Sequence, residues 1–344
     1  MPENNQNSDE RLIAPQAADE EVVFDITLRP QELADFVGQE QIKQNLNIAI
    51  AAAKQRGDNL EHILLYGNPG LGKTTLAHII AREMGGNIKV TSGPALEKVG
   101  DLAAILSNLQ DGDILFVDEI HRMNKTIEEV LYPALEDYAL DIIIGKGPAA
   151  RTIRMPLAKF TLIGATTKMS MISGPLRDRF GHSFHLNFYE LSDIEKILRR
   201  NANILKVKIE DDAEKLVAER ARRTPRIANR LLKRIRDFAQ VKGDGTVNKK
   251  TAGEAMAMLA IDEYGLDDID RRLLTFLIEK FAGGPVGLNT LAAAVAEEMD
   301  TIETIYEPYL LQIGFLERTP RGRKATARAY EHLGFELPKM QTLL

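Results

Sequence analysis

Residues 62–81 read HILLYGNPGLGKTTLAHIIA, and the character of the chain changes twice within that stretch. The apolar, β-favouring run ILLY at 63–66 gives way to a glycine-rich turn, GNPGLGKT at 67–74, and then to a helical pattern over 73–84. The turn matches the P-loop pattern in full, and a strand before it with a helix after it is the context that gives such a match physical meaning. Glycines allow backbone N–H groups to close around phosphate oxygens at a helix N-terminus, where the macrodipole also favours anions. Lys73 is then expected at the β- and γ-phosphates and the Thr74 hydroxyl on Mg²⁺. A glycine-rich turn arising by accident of composition has a prior of only about one in twenty in this setting.

Working outward, strand-like and helical runs alternate. IKVTS, a helix near 99–109, DILFVDE, a helix near 126–137 and FTLIGATT follow in turn. Short Ile-, Leu- and Val-rich runs separated by helices predict a parallel sheet buried on both faces, hence a three-layer α/β domain. ALDIIIGKGPAARTIRMPL, two β-favouring runs around GKGPAA, predicts an inserted hairpin near 139–156. Upstream, an amphipathic helix is expected over 39–56, and the polar, aperiodic residues 1–24 read as a flexible tail.

Beyond Tyr189 the strands stop. In LSDIEKILRRNANIL the Ser192 and Glu195 spacing reads as a capping box, and helical patterns continue to about residue 260. From Ile261, LDDIDRRLLTFLIEKF, LNTLAAAVAEE and TIETIYEPYLLQIG give three helical patterns, followed by FLERT and KATAR around a PRGR turn. Three helices and a terminal hairpin predict a winged helix. The expected boundaries are a tail at 1–24, an α/β domain at 25–189, a small helical lid at 190–260 and a winged-helix head at 261–344.

Composition narrows the chemistry. The 344 residues carry a formal net charge of -6, contain no Cys, and include six scattered His. Thiolate metal sites are excluded, leaving carboxylates, Arg, Lys, hydroxyls and backbone to do the work. No apolar run approaches the roughly 18 residues of a membrane span, and MPENNQNSDE lacks the order of a signal peptide, so a cytoplasmic location is expected. The acidic balance confines any nucleic-acid contact to a local basic patch, for which ERTPRGRKATAR at 317–328 is the candidate.

DILFVDEIH at 113–121 ends an apolar strand in two consecutive carboxylates, costly to bury without a cation. Asp118 is expected to complete the Mg²⁺ shell and Glu119 to polarise an attacking water. Thr166 and Thr167, at the end of FTLIGATT, are candidates for the γ-phosphate or the water; alone, a Thr pair there reflects only β-propensity. GPLRDRFG places Arg177 and Arg179 around Asp178, either as a surface ion pair or as an arginine finger reaching a neighbouring subunit. In RTPRIANRLLKRIRDFA, Thr224 as N-cap and Pro225 at the first position aim Arg226 from the first helical turn, where a cation opposes the dipole and invites an anion.

P-loop, acidic strand end, Thr-ended strand, arginine pair and a lid bearing an arginine occur here in the order that resembles the AAA+ ATPases. TSGPALEKVGDLAAIL, LYPALEDYALDIIIGKGPAARTIR, TPRIANRLL and EPYLLQIGFLERTPRGRKAT resemble, more narrowly, the bacterial ATPases that branch-migrate Holliday junctions. That resemblance implies ATP with Mg²⁺, bound by Gly70, Leu71, Gly72, Lys73, Thr74 and Thr75. Leu28 and Arg29 would lie beside the adenine and ribose, with Tyr189 and the run Glu136, Asp137, Tyr138 also lining the site. Arg179 would be the finger supplied in trans and Arg226 the lid sensor. The hairpin would dock on a RuvA-type junction-binding protein through Ile153 and Met155, and a RuvC-type resolvase would join the complex. The working form would be a homohexameric ring around double-stranded DNA, its wings touching the backbone through Arg318 and Arg323.

Four places depart from the pattern: Asn68 stands where Pro is usual, Arg223 where Gly is usual, KMSMISG after GATT where the run usually begins with Arg, and Met299 where some relatives carry an Arg. A protein unfoldase is disfavoured because no aromatic-hydrophobic-Gly pore loop is found, and a zinc-bearing clamp loader because Cys is absent. A nucleotide-switched DNA-binding regulator would share P-loop and winged helix but has no need of Glu119 together with a trans-acting arginine.

Overall fold

In the computed structural model, which describes residues 27–144 and 151–337, the ILLY run forms strand β1 (Ile63–Tyr66) inside a five-stranded sheet. Its companions are β2 (Ile88–Ser92), β3 (Ile114–Asp118), β6 (Thr161–Thr166) and β7 (His182–His185), in the order β2-β3-β6-β1-β7. Every pairing is parallel. Ile63, Leu64 and Leu65 of β1 and Leu115, Phe116 and Val117 of β3 are fully buried, so helices cover both faces, the three-layer α/β architecture expected from uninterrupted apolar strands. Burial of each such side chain favours folding by about 1.5–3 kcal/mol. Helix Lys73–Met84 contributes Leu76, Ala77, Ile79 and Ile80 to this core, and helix Lys125–Glu136 contributes Ile127, Leu131 and Leu135. Because all strands run the same way, β1, β3 and β6 end at one edge of the sheet, where ligands of open α/β sheets bind.

The inserted hairpin is β4 (Ala139–Ile144) paired antiparallel with β5 (Arg151–Pro156), from Ala139 opposite Pro156 to Ile144 opposite Arg151. The GKGPAA turn at 145–150 and the tail 1–24 lie outside the described residues.

The chain divides into two compact units, Arg29–Phe188, just described, and Tyr189 onward with Leu28. The second unit opens with helices Leu191–Ile204, Asp211–Arg220, Pro225–Lys242 and Lys249–Met258, laced by the two-residue parallel pair β8 (Lys208–Ile209) and β9 (Thr246–Val247). The expected capping box at Ser192 does not form. Glu190 is the N-cap, without a side-chain bond, and Ser192 already lies inside the first turn, where Asp193 supplies the negative charge that the helix N-terminus favours. Thr224 does precede helix Pro225–Lys242 with Pro at its start; its hydroxyl, however, donates back to the Ala221 carbonyl rather than capping forward.

Helix Asp268–Phe281 begins with an Asp267 and Asp270 capping box, and Leu288–Val295 follows. The third helical pattern is one continuous run with a π-helical turn, Ile302–Tyr306, between Met299–Thr301 and Glu307–Gln312. The hairpin β10 (Leu316–Thr319) and β11 (Gly322–Ala325) completes a winged helix on a core of Leu273, Leu277, Leu310, Phe315 and Tyr330. The turn is Pro320-Arg321, shorter than PRGR suggests. Gly322 belongs to β11 at φ 136, and a Cβ there would stand 2.2 Å from the Val286 carbonyl oxygen, because Val286 bridges Arg323 as a third partner. The end of KATAR is not strand but the start of helix Ala327–Leu333.

Candidate functional site

At the carboxyl edge of the first unit, Gly67 leaves β1 at φ 141 with its N–H on the Thr166 carbonyl at 3.2 Å. A Cβ at Gly67 would lie 2.4 Å from the Leu186 carbonyl oxygen, so only glycine admits this entry into the loop. Gly70 and Gly72 also take positive φ, turning the backbone so that helix Lys73–Met84 starts with no side-chain cap on its first-turn N–H groups. Uncapped N–H groups at a helix N-terminus form an anion cradle. Leu71 is buried beneath it and Thr74 and Thr75 are half-buried. The Lys73 ammonium is drawn into the loop, donating to the Gly67 carbonyl at 2.7 Å and the Asn68 carbonyl at 2.9 Å. Asn68 thus contributes through its backbone, which a Pro at that position would supply equally.

Two strands away β3 ends at Asp118, whose side chain accepts from the Glu119 N–H at 2.9 Å. Glu119 adopts the left-handed conformation, φ 48, and Gly93 permits the close approach of the β2 end, since a Cβ there would lie 2.4 Å from the Glu119 carbonyl oxygen. Between β3 and β1 lies β6, and the buried Thr166 hydroxyl meets His121 Nδ1 at 2.9 Å while His121 Nε2 stands 3.5 Å from Glu119 Oε2. Thr167 lies one residue past β6 and is half-buried. P-loop, acidic pair and Thr-ended strand therefore converge on one edge.

Arg177 and Arg179 diverge. The Arg177 guanidinium donates to the Met169 and Ile172 carbonyls, both at 3.3 Å. Arg179 lies 4.1 Å over the Tyr132 ring, ion-pairs with Glu136 at 3.0 Å and donates to the Pro175 carbonyl at 2.6 Å. The three residues of the EDY run go separate ways: Glu136 to Arg179, Asp137 to Arg154, and Tyr138, at φ 49, edge-on to Phe160 and His62. On the hairpin, Ile153 is half-exposed at 51%, whereas Met155 packs on the α/β core. Arg29 lies close enough to His78 to depress its proton affinity, an effect smaller than that of the burial of the ring.

In the second unit, Leu28 is buried and its carbonyl accepts from Arg200 at 2.9 Å, and buried Tyr189 donates its N–H to the Arg223 carbonyl at 3.0 Å. The Arg226 Nε is buried with no hydrogen-bond partner among the described residues. In the wing, Arg318 donates to Glu307 at 2.8 Å and Arg323 to the same carboxylate at 2.9 Å.

His121, Tyr132 and Glu307 escaped the sequence reading. A polar residue two positions after the acidic pair, past Ile120, was the available signal for His121; a lone His otherwise reads as neutral. Tyr132 and Glu307 stand on helices whose apolar spacing says nothing of which polar side chains they meet.

Fold and site together define a P-loop ATPase of the AAA+ class with a helical lid and a terminal winged helix. Family descriptions match along nearly the whole of it: "Holliday junction DNA helicase RuvB P-loop domain" at residues 28–186, "RuvB AAA lid domain" at 189–262 and "RuvB C-terminal winged helix domain" at 263–334. The Holliday junction branch migration complex subunit RuvB of Dehalococcoides mccartyi is 60% identical over 324 residues, 94% of this chain and 93% of that protein. Its counterpart from Thermomicrobium roseum is 58% identical over 96% of this chain and 93% of its own length. The solved structure of the Thermotoga maritima RuvB Holliday junction branch migration motor superposes with a TM-score of 0.83 at 51% identity, covering 91% of this chain and all of that one. The chain belongs to the RuvB family.

Proposed function

We propose that this protein is an ATP-driven motor that translocates double-stranded DNA to branch-migrate Holliday junctions in recombination and repair. The observation that carries the reading is the hydrogen-bonded path Gly67 to Thr166 to His121, with Glu119 beside it, which ties a phosphate cradle to a candidate base in a chain that also bears a winged helix. A binding module would need the cradle but not the base.

Gly70, Leu71, Gly72, Lys73, Thr74 and Thr75 hold the phosphates of ATP, Lys73 exchanging its loop carbonyls for phosphate oxygens. The Thr74 hydroxyl and Asp118 offer hard oxygen donors of the kind Mg²⁺ prefers, and among the described residues no cluster of three or more His, Asp or Glu side chains competes for it. Bound there, the cation neutralises charge that builds up on the transferring phosphoryl group. Glu119 orients and deprotonates the attacking water, with Thr166 and Thr167 beside the γ-phosphate. Leu28, Arg29, Tyr189, Glu136, Asp137 and Tyr138 belong to the nucleotide site by family resemblance, as does Arg226 as lid sensor. Arg179 acts on the nucleotide of the next subunit in a homohexameric ring; Arg177, bonded to two carbonyls of its own loop, shapes the segment that presents it. Ile153 and Met155 mark the hairpin face for a RuvA-type partner, Ile153 being the more accessible. A RuvC-type resolvase completes the assembly, which works in the cytoplasm on the nucleoid. Arg318 and Arg323 contact the DNA backbone, Arg318 being the more exposed.

The test is ATP-dependent dissociation of a synthetic four-way junction, with and without a RuvA-type protein. Dissociation that requires ATP is expected. ATP binding and DNA binding without any junction movement would reduce the protein to a nucleotide-switched regulator.

A further inference from the structure

We infer that His121 is a positioning residue for ATP hydrolysis, coupling the carboxylate of Glu119 to the hydroxyl of Thr166. The inference rests on the assignment of Glu119 as the base. Thr166 is wholly buried and its Oγ1 accepts the Lys168 N–H at 2.9 Å, so its own proton is free to be donated, and His121 Nδ1 lies 2.9 Å away. With Nδ1 accepting, the neutral imidazole carries its proton on Nε2, the atom 3.5 Å from Glu119 Oε2. The opposite tautomer would set a lone pair against a carboxylate. In that tautomer donor and acceptor roles run in one direction, from Lys168 N–H through the Thr166 hydroxyl and the imidazole to Glu119.

The geometry suits a device that moves rather than a static brace. The His121 side chain is 4% exposed in the 3-10 turn Ile120–Arg122 just after β3, whereas that of Glu119, 3.5 Å away, is 37% exposed and has room to rotate. Thr166 also sits where the P-loop begins, its carbonyl accepting the Gly67 N–H. A nucleotide that shifts the P-loop entry moves Thr166 through that bond, and the Thr166 hydroxyl and imidazole pass the change to Glu119. His121 thereby makes the position of the base depend on the nucleotide.

The experiment uses the full-length chain and measures steady-state ATPase, ATP KM and binding of a fluorescent ATP analogue. His121→Ala is expected to lower kcat by about tenfold or more, the scale on which loss of orientation acts, with KM and analogue binding changed less than about threefold. His121→Gln, which keeps an acceptor and a donor, should recover part of that loss. Thr166→Val should lower kcat comparably, and the double variant His121→Ala/Thr166→Val should be no slower than the slower single, because both break one path. A His121→Ala enzyme within about twofold of the parent in kcat, or single losses that multiply in the double variant, overturns the coupling. So does a fall in analogue binding and melting temperature parallel to that in kcat, which marks a merely structural side chain. Glu119→Gln separates the layers: full hydrolysis by that variant removes the base itself, whereas an inactive Glu119→Gln beside a normal His121→Ala removes only the inference about His121.

Discussion

Arg318 and Arg323 face each other across the β10–β11 ladder and share the carboxylate of the fully buried Glu307, with Glu303 3.4 Å from Arg318 and 3.9 Å from Arg323. Burial pushes the Glu307 carboxyl up, but the hydrogen bonds and positive charges of Arg318 and Arg323 outweigh it and hold the group below the usual carboxylate range. The two arginines differ in what remains for a ligand. The Arg318 side chain is 51% exposed, that of Arg323 only 13%. Glu307 and Glu303 thus fix the wing while the Arg318 side chain remains half-exposed.

The wing should grip DNA through Arg318 more than through Arg323. Arg318→Ala is expected to reduce the slope of log K against log salt by about one, the signature of one phosphate contact. Arg323→Ala should instead loosen the wing, raising amide hydrogen exchange over 316–325. An unchanged salt slope for Arg318→Ala would place the grip elsewhere.

His62 should make the α/β unit acid-labile. Its ring accepts the Leu162 N–H at 3.0 Å and contacts the Leu135 carbonyl at 3.1 Å, an arrangement for the neutral imidazole. Burial, only partly opposed by the Leu135 hydrogen bond and the charge of Glu61, lowers its pKa from 6.5. A protonating unfolded His and a neutral folded one mean that stability is complete above the unfolded pKa and declines as pH falls below it, by up to about 1.4 kcal/mol per pH unit. Denaturation midpoints at pH 7.5 and 5.5 check this, and His62→Gln should flatten the dependence after an overall loss of stability.

Arg223 occupies a left-handed conformation, φ 52, directly after Arg222 at φ 50. A non-glycine residue there is strained, and the Arg223 ion pair with Glu190, at 3.9 Å between exposed groups, compensates little. Arg223→Gly is expected to stabilise the second unit by about 0.5–1 kcal/mol, strain relief outweighing the entropy of a new glycine. A rise in denaturation midpoint is the readout.

Glu119→Gln should retain nucleotide binding and lose hydrolysis by at least about 100-fold, the range set by removal of a positioned general base. Equilibrium binding of an ATP analogue alongside phosphate release distinguishes the two.

Arg179→Ala should inactivate uniform assemblies yet regain activity when mixed with Glu119→Gln subunits, because each supplies what the other's interface lacks. The Tyr132 face and Glu136 orient the guanidinium in the isolated chain, and phosphate release by uniform and mixed assemblies reads the effect. Turnover by Arg179→Ala alone at the parental rate would sink the finger role.

Much of the architecture was legible because its causes are local. Apolar runs of strand length, glycines at the phosphate turn and a Pro after Thr224 act through a few neighbouring residues, and the helices around them fell close to the expected bounds. The reading faltered where local signals compete. Ser192 and Glu195 match a capping box, yet the helix starts earlier at Leu191; Pro320 and Gly322 look like one turn flanked by Arg318 and Arg323, yet Gly322 is drawn into a strand by Val286.

By itself the sequence determined that a phosphate cradle would follow a buried strand and that carboxylates and hydroxyls would end the neighbouring ones, since backbone sterics and apolar periodicity act along the chain. Only tertiary structure decided which polar groups meet. Glu119, His121 and Thr166 come from two strand ends joined by the β3–β6 register, and Arg318 and Arg323 reach Glu307 from a different element. Charged and hydrogen-bonding side chains choose partners by distance in space, and spacing along the sequence carries no record of that.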